Sequence, residues 1–150
     1  MKDNLKIMDE VDKALYEALT QRGRVNILIA GKTGVGKSTL INAVFQGNLA
    51  TTGQGRPVTQ TTSEITKEGI PISIFDTRGL EMSAFAETLK PLEDLINRRK
   101  FDPDPQRHIH VAWVCIVEDL RRVEDGDRQL VEMLARHMPV IAVITKARAD

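Results

Sequence analysis

The chain has 150 residues and lacks several things that would each have suggested a class of protein. It has one cysteine, Cys115, so no intramolecular disulfide can form, which suits a reducing compartment; lying in an apolar run, Cys115 reads as a small buried core residue. There is no excess of charge of either sign: 21 Lys and Arg stand against 21 Asp and Glu, so no overall field draws the chain to nucleic acid or to an acidic membrane. No run of apolar residues is long enough to span a bilayer, and the charged N-terminus has no signal-peptide pattern. The expectation is a soluble, cytoplasmic protein. With 41% hydrophobic positions, the length suits one core and one domain.

What the sequence does contain centres on Arg24 to Ala43. An apolar run from Val25 to Ala30, interrupted only by Asn26, predicts a buried strand. Gly31, Lys32, Thr33, Gly34, Val35, Gly36, Lys37 and Ser38 then satisfy G-x-x-x-x-G-K-[S/T], and Thr39, Leu40, Ile41 and Ala43 begin a helical pattern. This is the P-loop arrangement. A polyphosphate needs many short contacts, more than bulky side chains can crowd around it, so backbone amides provide them, and the glycines permit the close approach. The helix that follows aims its unsatisfied N–H groups and positive dipole end at the anion. Lys37 adds a full charge for the β- and γ-phosphates, and the Ser38 hydroxyl is placed to ligate Mg²⁺.

Upstream, residues 3 to 21 read as a helix with Leu5, Met8, Val11, Leu15 and Leu19 on one stripe. Packing on its own domain is the favoured reading, with pairing to another subunit or a membrane surface as alternatives; the mixed charge argues against the membrane. Downstream, Gln46 to Ser63 is polar, rich in threonine and turn residues, and is expected to contribute nothing to a core. Thr59, Thr61 and Thr62 are its candidates for approaching a ligand. Glu64–Lys67 and Ile70–Phe75 flank the turn Glu68-Gly69 and predict a hairpin, with Pro71 suggesting that the second strand begins near an edge or is only partly paired at first. That strand delivers Asp76-Thr77-Arg78-Gly79, a D-x-x-G in which Asp76 can hold Mg²⁺ through water and Gly79 can offer an amide to a γ-phosphate.

Ser83 to Arg99 has helical spacing that Pro91 is expected to divide. A strand over Ile109–Ile116 follows; His108 and His110, two apart, lack a third metal ligand and read as ordinary histidines at the edge of the core. Glu118 to Asp127 is a charged loop with Asp127 as a helix N-cap, the helix placing Leu130, Val131 and Leu134 inward and stopping before Pro139. Val140–Ile144 is the last strand, ending in Thr145-Lys146.

Assembled in this order, the chain resembles the translation-factor-related P-loop GTPases, in particular their septin-like and Era-like (50S ribosome-binding-type) relatives, over residues 24 to 150. GKTGVGKSTLINA looks like their first motif, PVTQTT like switch I, DTRGL like the third motif and TKARAD like the guanine motif [N/T]-K-x-D. With the N-terminal helix set apart as residues 1–22, the resemblance implies a G domain over 23–150 that lacks a last strand and helices, as in a C-terminally truncated chain or a divergent minimal domain. The fold expected is a three-layer α/β/α domain with a mostly parallel sheet and one antiparallel edge strand.

It also implies GTP and GDP as ligands held by Gly31, Thr33, Gly34, Val35, Gly36, Lys37, Ser38 and Thr39. Mg²⁺ would be organised by Ser38, Asp76 and, of the three threonines, Thr59, while Thr145 and Lys146 frame the base. Lys37, Thr59, Arg78 and Gly79 are the catalytic candidates. The sequence departs from the family in three places. Arg148 stands where the base-reading Asp is expected, leaving Asp150 as the carboxylate and opening the alternative of a non-selective or ATP-using enzyme. Leu80 occupies the position of a water-orienting glutamine, so hydrolysis is expected to be slow, or negligible in a nucleotide-binding assembly module; Arg78 and Arg56 are in-chain candidates for meeting γ-phosphate charge. Gly34 stands where potassium-activated relatives have asparagine. A homodimer across the nucleotide face is a further expectation, and the effector or activating protein is not specified.

Overall fold

The computed structural model describes residues 10, 23–31, 36–47, 55–78, 85–117 and 125–145. Strand β1 (Val25–Ala30) leads to helix α1 (Lys37–Phe45); β2 (Arg56–Pro57), β3 (Thr62–Thr66) and β4 (Ile72–Thr77) follow, then α2 (Phe85–Lys100), β5 (Val111–Val117), α3 (Asp125–Ala135) and β6 (Val140–Thr145). The six strands form one sheet in the order β2-β3-β4-β1-β5-β6. β4, β1, β5 and β6 are parallel, and β3 runs against β4 with β2 pairing antiparallel to it in turn. The predicted three-layer fold with a mostly parallel sheet is the fold observed. Among the described residues, no helix is long and apolar enough to cross a membrane. The predicted helix over residues 3–21 lies outside the described residues apart from helical Glu10.

Alternation along the strands assigns the layers. Leu28 and Ala30 of β1, Phe75 of β4, and Ala112 and Val114 of β5 face one side, where Leu92 and Ile96 of α2 and Leu130, Met133 and Leu134 of α3 cover them. Ile27, Ile29, Ile65, Ile74 and Cys115 face the other, beneath Ile41 and Phe45 of α1. With helices on both faces the central strands are apolar on both sides, which is why β1 reads as a continuous run rather than an alternating one. Asp76 follows Phe75 and so falls on the α1 face, and this parity sets up the site. The edge strand β6 leaves Ile141 and Ile144 more than half exposed.

Several expectations are corrected. Helix α2 runs unbroken through Pro91. The proline removes one hydrogen bond to the carbonyl of Glu87, but both residues are exposed, so water can satisfy that carbonyl and the ring points away from the core. Asp127 is the third residue of α3 rather than its cap; an acidic side chain suits the first turn for the same dipole reason. The stretch 46–63 does contribute to the core, because Thr62 is buried within β3 and Val58 packs against the α2–α3 side. Pro71 precedes an interior strand rather than an edge one, but the strand is only partly paired at first, the other reading that this proline allowed: Ile72 pairs with β1 alone, and pairing to β3 begins at Ser73.

The foot of β1 is tied by a polar clamp. Asn26 is buried, and its Nδ2 donates to the carbonyls of Gln106 (2.6 Å) and His108 (2.7 Å), while its backbone N donates to His110 Nδ1 at 2.9 Å. His110 Nε2 then lies 3.0 Å from Pro105 O and His108 Nε2 2.7 Å from Asp102 O. Both rings serve the loop before β5, and no group of three or more metal-ligating side chains exists among the described residues.

Candidate functional site

The upper rim of the sheet, where β1 and β4 end side by side, brings together Lys37 and Asp76, two of the charged residues that the sequence singled out, whereas Arg56 lines a separate cavity. Gly31 leaves β1, and Gly36 enters α1 with φ of 97°, a left-handed conformation that favours glycine. No side chain caps α1, and its first turn contains no acidic residue, so its leading amides and positive dipole end meet no competing carboxylate of their own turn. At the far end Gln46, at φ 52°, and Gly47 close the helix by donating to Ala43 O and Asn42 O, and Lys67 Nζ donates to Phe45 O at 2.7 Å. The helix is thus fixed to the β3–β4 hairpin, which keeps its N-terminus at the rim.

Lys37, the first helical residue, turns inward. Its Nζ donates to Thr77 O at 2.5 Å and lies 3.6 Å from Asp76 Oδ1, both side chains being almost buried at 12% and 10% exposure. The separation makes this an ion pair rather than a hydrogen bond, and Asp76 Oδ1 is a buried oxygen without a hydrogen-bond partner. Burial pushes the Lys37 amine below its ordinary value, opposed by the neighbouring carboxylate of Asp76. Cys115 lies under the pair; burial raises its thiol, so it is a neutral core residue as expected. Ser38 and Thr39 are exposed on the first turn of α1.

The threonine loop approaches from β3. Arg78 N, just past β4, donates to Thr61 O at 2.6 Å. Thr59 Oγ1 accepts from the amides of Thr61 (3.2 Å) and Thr62 (3.0 Å), so the hydroxyl closes its own turn. Thr59 and Thr61 line a cavity of about 1010 Å³ against Thr88 and Pro91 of α2. Thr33, Gly34, Val35, Gly79, Leu80, Lys146, Arg148 and Asp150 lie outside the described residues, and Thr145 is described only as the end of β6. What sequence reasoning missed is the Thr77 carbonyl as a partner for Lys37; a backbone acceptor leaves no residue-type signal. Among the described residues, then, the rim joins a helix N-terminus free of acidic side chains, a sunken lysine and a buried carboxylate at the ends of adjacent parallel strands, the place where open α/β sheets bind ligands.

The 50S ribosome-binding GTPase profile matches residues 26–146. The chain belongs to that family. A tRNA modification GTPase MnmE from Desulfotalea psychrophila is 31% identical over 155 residues, covering 95% of this chain and 31% of that protein. Translocase of chloroplast 101 from Physcomitrium patens is 45% identical over 121 residues, covering 79% of this chain and 12% of that one. The chain therefore spans about a third or less of the length of these relatives.

Two solved structures share the fold. A septin GTPase domain from Chlamydomonas reinhardtii matches with a TM-score of 0.51 at 19% identity, over 82% of this chain and 52% of that one. A structure of the chloroplast translocon components atToc33 and psToc159, for whose GTPase activity dimerization is described as important, matches with a TM-score of 0.59 at 21% identity, over 89% and 55%.

Proposed function

We propose that this 50S ribosome-binding GTPase family member binds GTP and GDP at the rim of the sheet with Mg²⁺, hydrolyses GTP slowly, and acts as a nucleotide-dependent switch in the cytoplasm. The observation that carries the reading is the buried Lys37–Asp76 pair at the mouth of α1, a charge arrangement that a fold-stabilising surface pair does not need. Gly31, Thr33, Gly34, Val35, Gly36 and Thr39 supply the backbone cradle, and Thr145, Lys146 and Asp150 frame the base. Ser38, Asp76 and Thr59 hold the metal.

A hydrated Mg²⁺ would fit this donor set, since it takes one or two carboxylates together with phosphate oxygens and waters, and Asp76 Oδ1, ion-paired with Lys37 but without a hydrogen bond, is an acceptor of that kind. When bound, the ion neutralises charge between the β- and γ-phosphates. Thr59 Oγ1 now accepts two amides of its own turn, so reaching a metal requires that turn to open. That rearrangement is the switch.

In the reaction, water attacks the γ-phosphorus in line, the bond to the β–γ bridging oxygen breaks, and GDP leaves with the electron pair. Lys37 and the amides at the start of α1 meet the charge that develops on the phosphate oxygens, Gly79 contributes an amide, and Arg78 at the end of β4 is the in-chain group for the γ-phosphate. Leu80 cannot orient the attacking water, so the rate is low unless a partner contributes. A second copy of the chain across the nucleotide face is the partner proposed; the dimerization described for the translocon components is consistent with it.

Calorimetry with GDP and ADP tests the base preference. GDP is expected to bind at least about tenfold more tightly; equal affinities would retire the guanine reading in favour of a non-selective or ATP-using enzyme. Single-turnover assays at rising protein concentration test the rest. A rate that climbs with concentration supports the dimer, and no phosphate release at any concentration favours a binding module.

A further inference from the structure

A cavity of about 580 Å³ opens from the foot of β1 across to the β2–β3 edge of the sheet, apart from the proposed nucleotide site. Its wall carries four arginines, Arg24, Arg56, Arg99 and Arg107, against two carboxylates, Glu64 and Asp104. The arginines come from separate segments: the residue before β1, strand β2, helix α2 and the short 3₁₀ turn Pro105–Arg107. Arg107 Nε pairs with Asp102 Oδ2 at 3.1 Å. Arg99 is held with its guanidinium 5.0 Å from the centroid of the buried Phe75 ring, and its Nη1 donates to Arg107 O at 3.4 Å. The side chains of Arg24 and Arg56 make no ion pair or hydrogen bond with any other described residue.

The wall is held rigidly by contacts that do not use the arginines. Asn26 ties Gln106 and His108 to β1. Gly23, at φ 83°, packs so closely on Gln106 that a Cβ there would lie 2.8 Å from its side chain. Gly55 presses on β3 in the same way, a Cβ falling 3.0 Å from Ser63 Cβ. Like charges brought together on a fixed frame repel, and among the described residues only Arg107 of the four has an ion pair. Guanidinium groups are suited to the two-oxygen edge of phosphate or carboxylate, and the volume suits a small ligand rather than a chain.

We propose that this cavity at the foot of β1 is a second binding site, taking a compact polyanion whose phosphate or carboxylate groups are gripped by Arg24, Arg56 and Arg99. Its lining includes none of the described cradle residues Gly31, Gly36–Thr39 or Asp76, and the proposal does not depend on what that cradle binds. The test is an amide NMR titration of the full chain with excess Mg²⁺ and GDP, using inorganic pyrophosphate in one arm, citrate in another, and sodium chloride at matched ionic strength as the control.

Saturable shifts at Gly23–Asn26, at Gly55, Arg56 and Val58, and at Gln106–His108 are expected. They should weaken by about tenfold or more in the Arg24→Ala/Arg56→Ala double variant, while the amides of Gly36–Thr39 keep their wild-type positions and show that the variant is folded. Response to pyrophosphate alone assigns a phosphate ligand, and response to both arms the wider polyanion class. Shifts equal to those with chloride, shifts confined to Gly36–Thr39, or undiminished binding by the double variant would overturn the proposal.

Discussion

The nucleotide rim and the arginine-lined cavity hold their positive charge in opposite ways. At the rim a single lysine is sunk beside one carboxylate, with burial working against its charge. In the cavity at the foot of β1 four arginines stand around an open space, two of them without an ion pair or hydrogen bond among the described residues. Among the described residues the rim is built from two short segments, Gly31 with Gly36–Thr39 and Asp76-Thr77, whereas the cavity gathers Arg24, Arg56, Arg99 and Arg107 from four. A contiguous loop can carry a motif, whereas a cavity assembled from distant segments cannot, since nothing in the sequence says that those segments meet.

Phe75 belongs to both regions, with its ring under Arg99 and its neighbour Asp76 in the rim, so its removal should erase the contrast. Phe75→Ala is expected to cost about 3–5 kcal/mol, measured by denaturant unfolding, and to weaken ligand binding in both; a loss under about 1 kcal/mol would mean that the ring is not the core residue described. Lys37→Ala should act on the rim alone. It is expected to lower nucleotide affinity by about 100-fold, the scale of a charge-assisted contact, with pyrophosphate shifts at the foot retained. Retained nucleotide affinity would show that the rim is not the site.

Asn26→Ala is the matching change at the foot. Losing two buried hydrogen bonds should cost about 2 kcal/mol and speed hydrogen exchange at the amides of His108 and His110, with nucleotide affinity changed by no more than about twofold. The smallest effect is with pH. Because burial lowers the Lys37 pKa below the ordinary 10.5, its charge is lost earlier on alkaline titration than that of an exposed lysine. Nucleotide affinity should therefore fall as pH rises through that lowered value. The folded state binds this proton less tightly than the unfolded state does, so the contribution of Lys37 to stability should rise over the same window, up to 10.5. Binding at the foot does not use Lys37 and should not follow that titration. Comparison with Lys37→Arg isolates the effect; identical alkaline profiles for the two proteins would contradict the assignment.

Much of this architecture is legible in the sequence because it depends on local periodicity. The apolar run at β1, the Glu68-Gly69 turn of the hairpin, the first motif with its helix, and the alternation that puts Asp76 at a strand end all follow from spacing alone. Where the reading failed, burial outweighed local preference. Pro91 reads as a break, yet α2 continues because Leu89, Leu92, Leu95 and Ile96 still pack on the sheet while the proline faces water. Thr62 reads as loop, but pairing with Thr77 makes it part of β3. Asn26 looks like a flaw in an apolar strand until the loop before β5 supplies the carbonyls it holds.

The order of residues by itself determined the phosphate-binding loop, the elements that flank it and the family, since each is encoded within a few turns of chain whose backbone geometry depends on its own glycines and spacing. Only tertiary structure decided that Lys37 meets Asp76 and the Thr77 carbonyl, that Thr59 turns its hydroxyl on its own backbone, and that four distant arginines face one cavity. The Lys37–Thr77 contact spans 40 positions and the Asn26–His110 bond 84, and which distant groups become neighbours is set by strand order and the packing of both sheet faces, interactions that exist only once the chain has closed on itself.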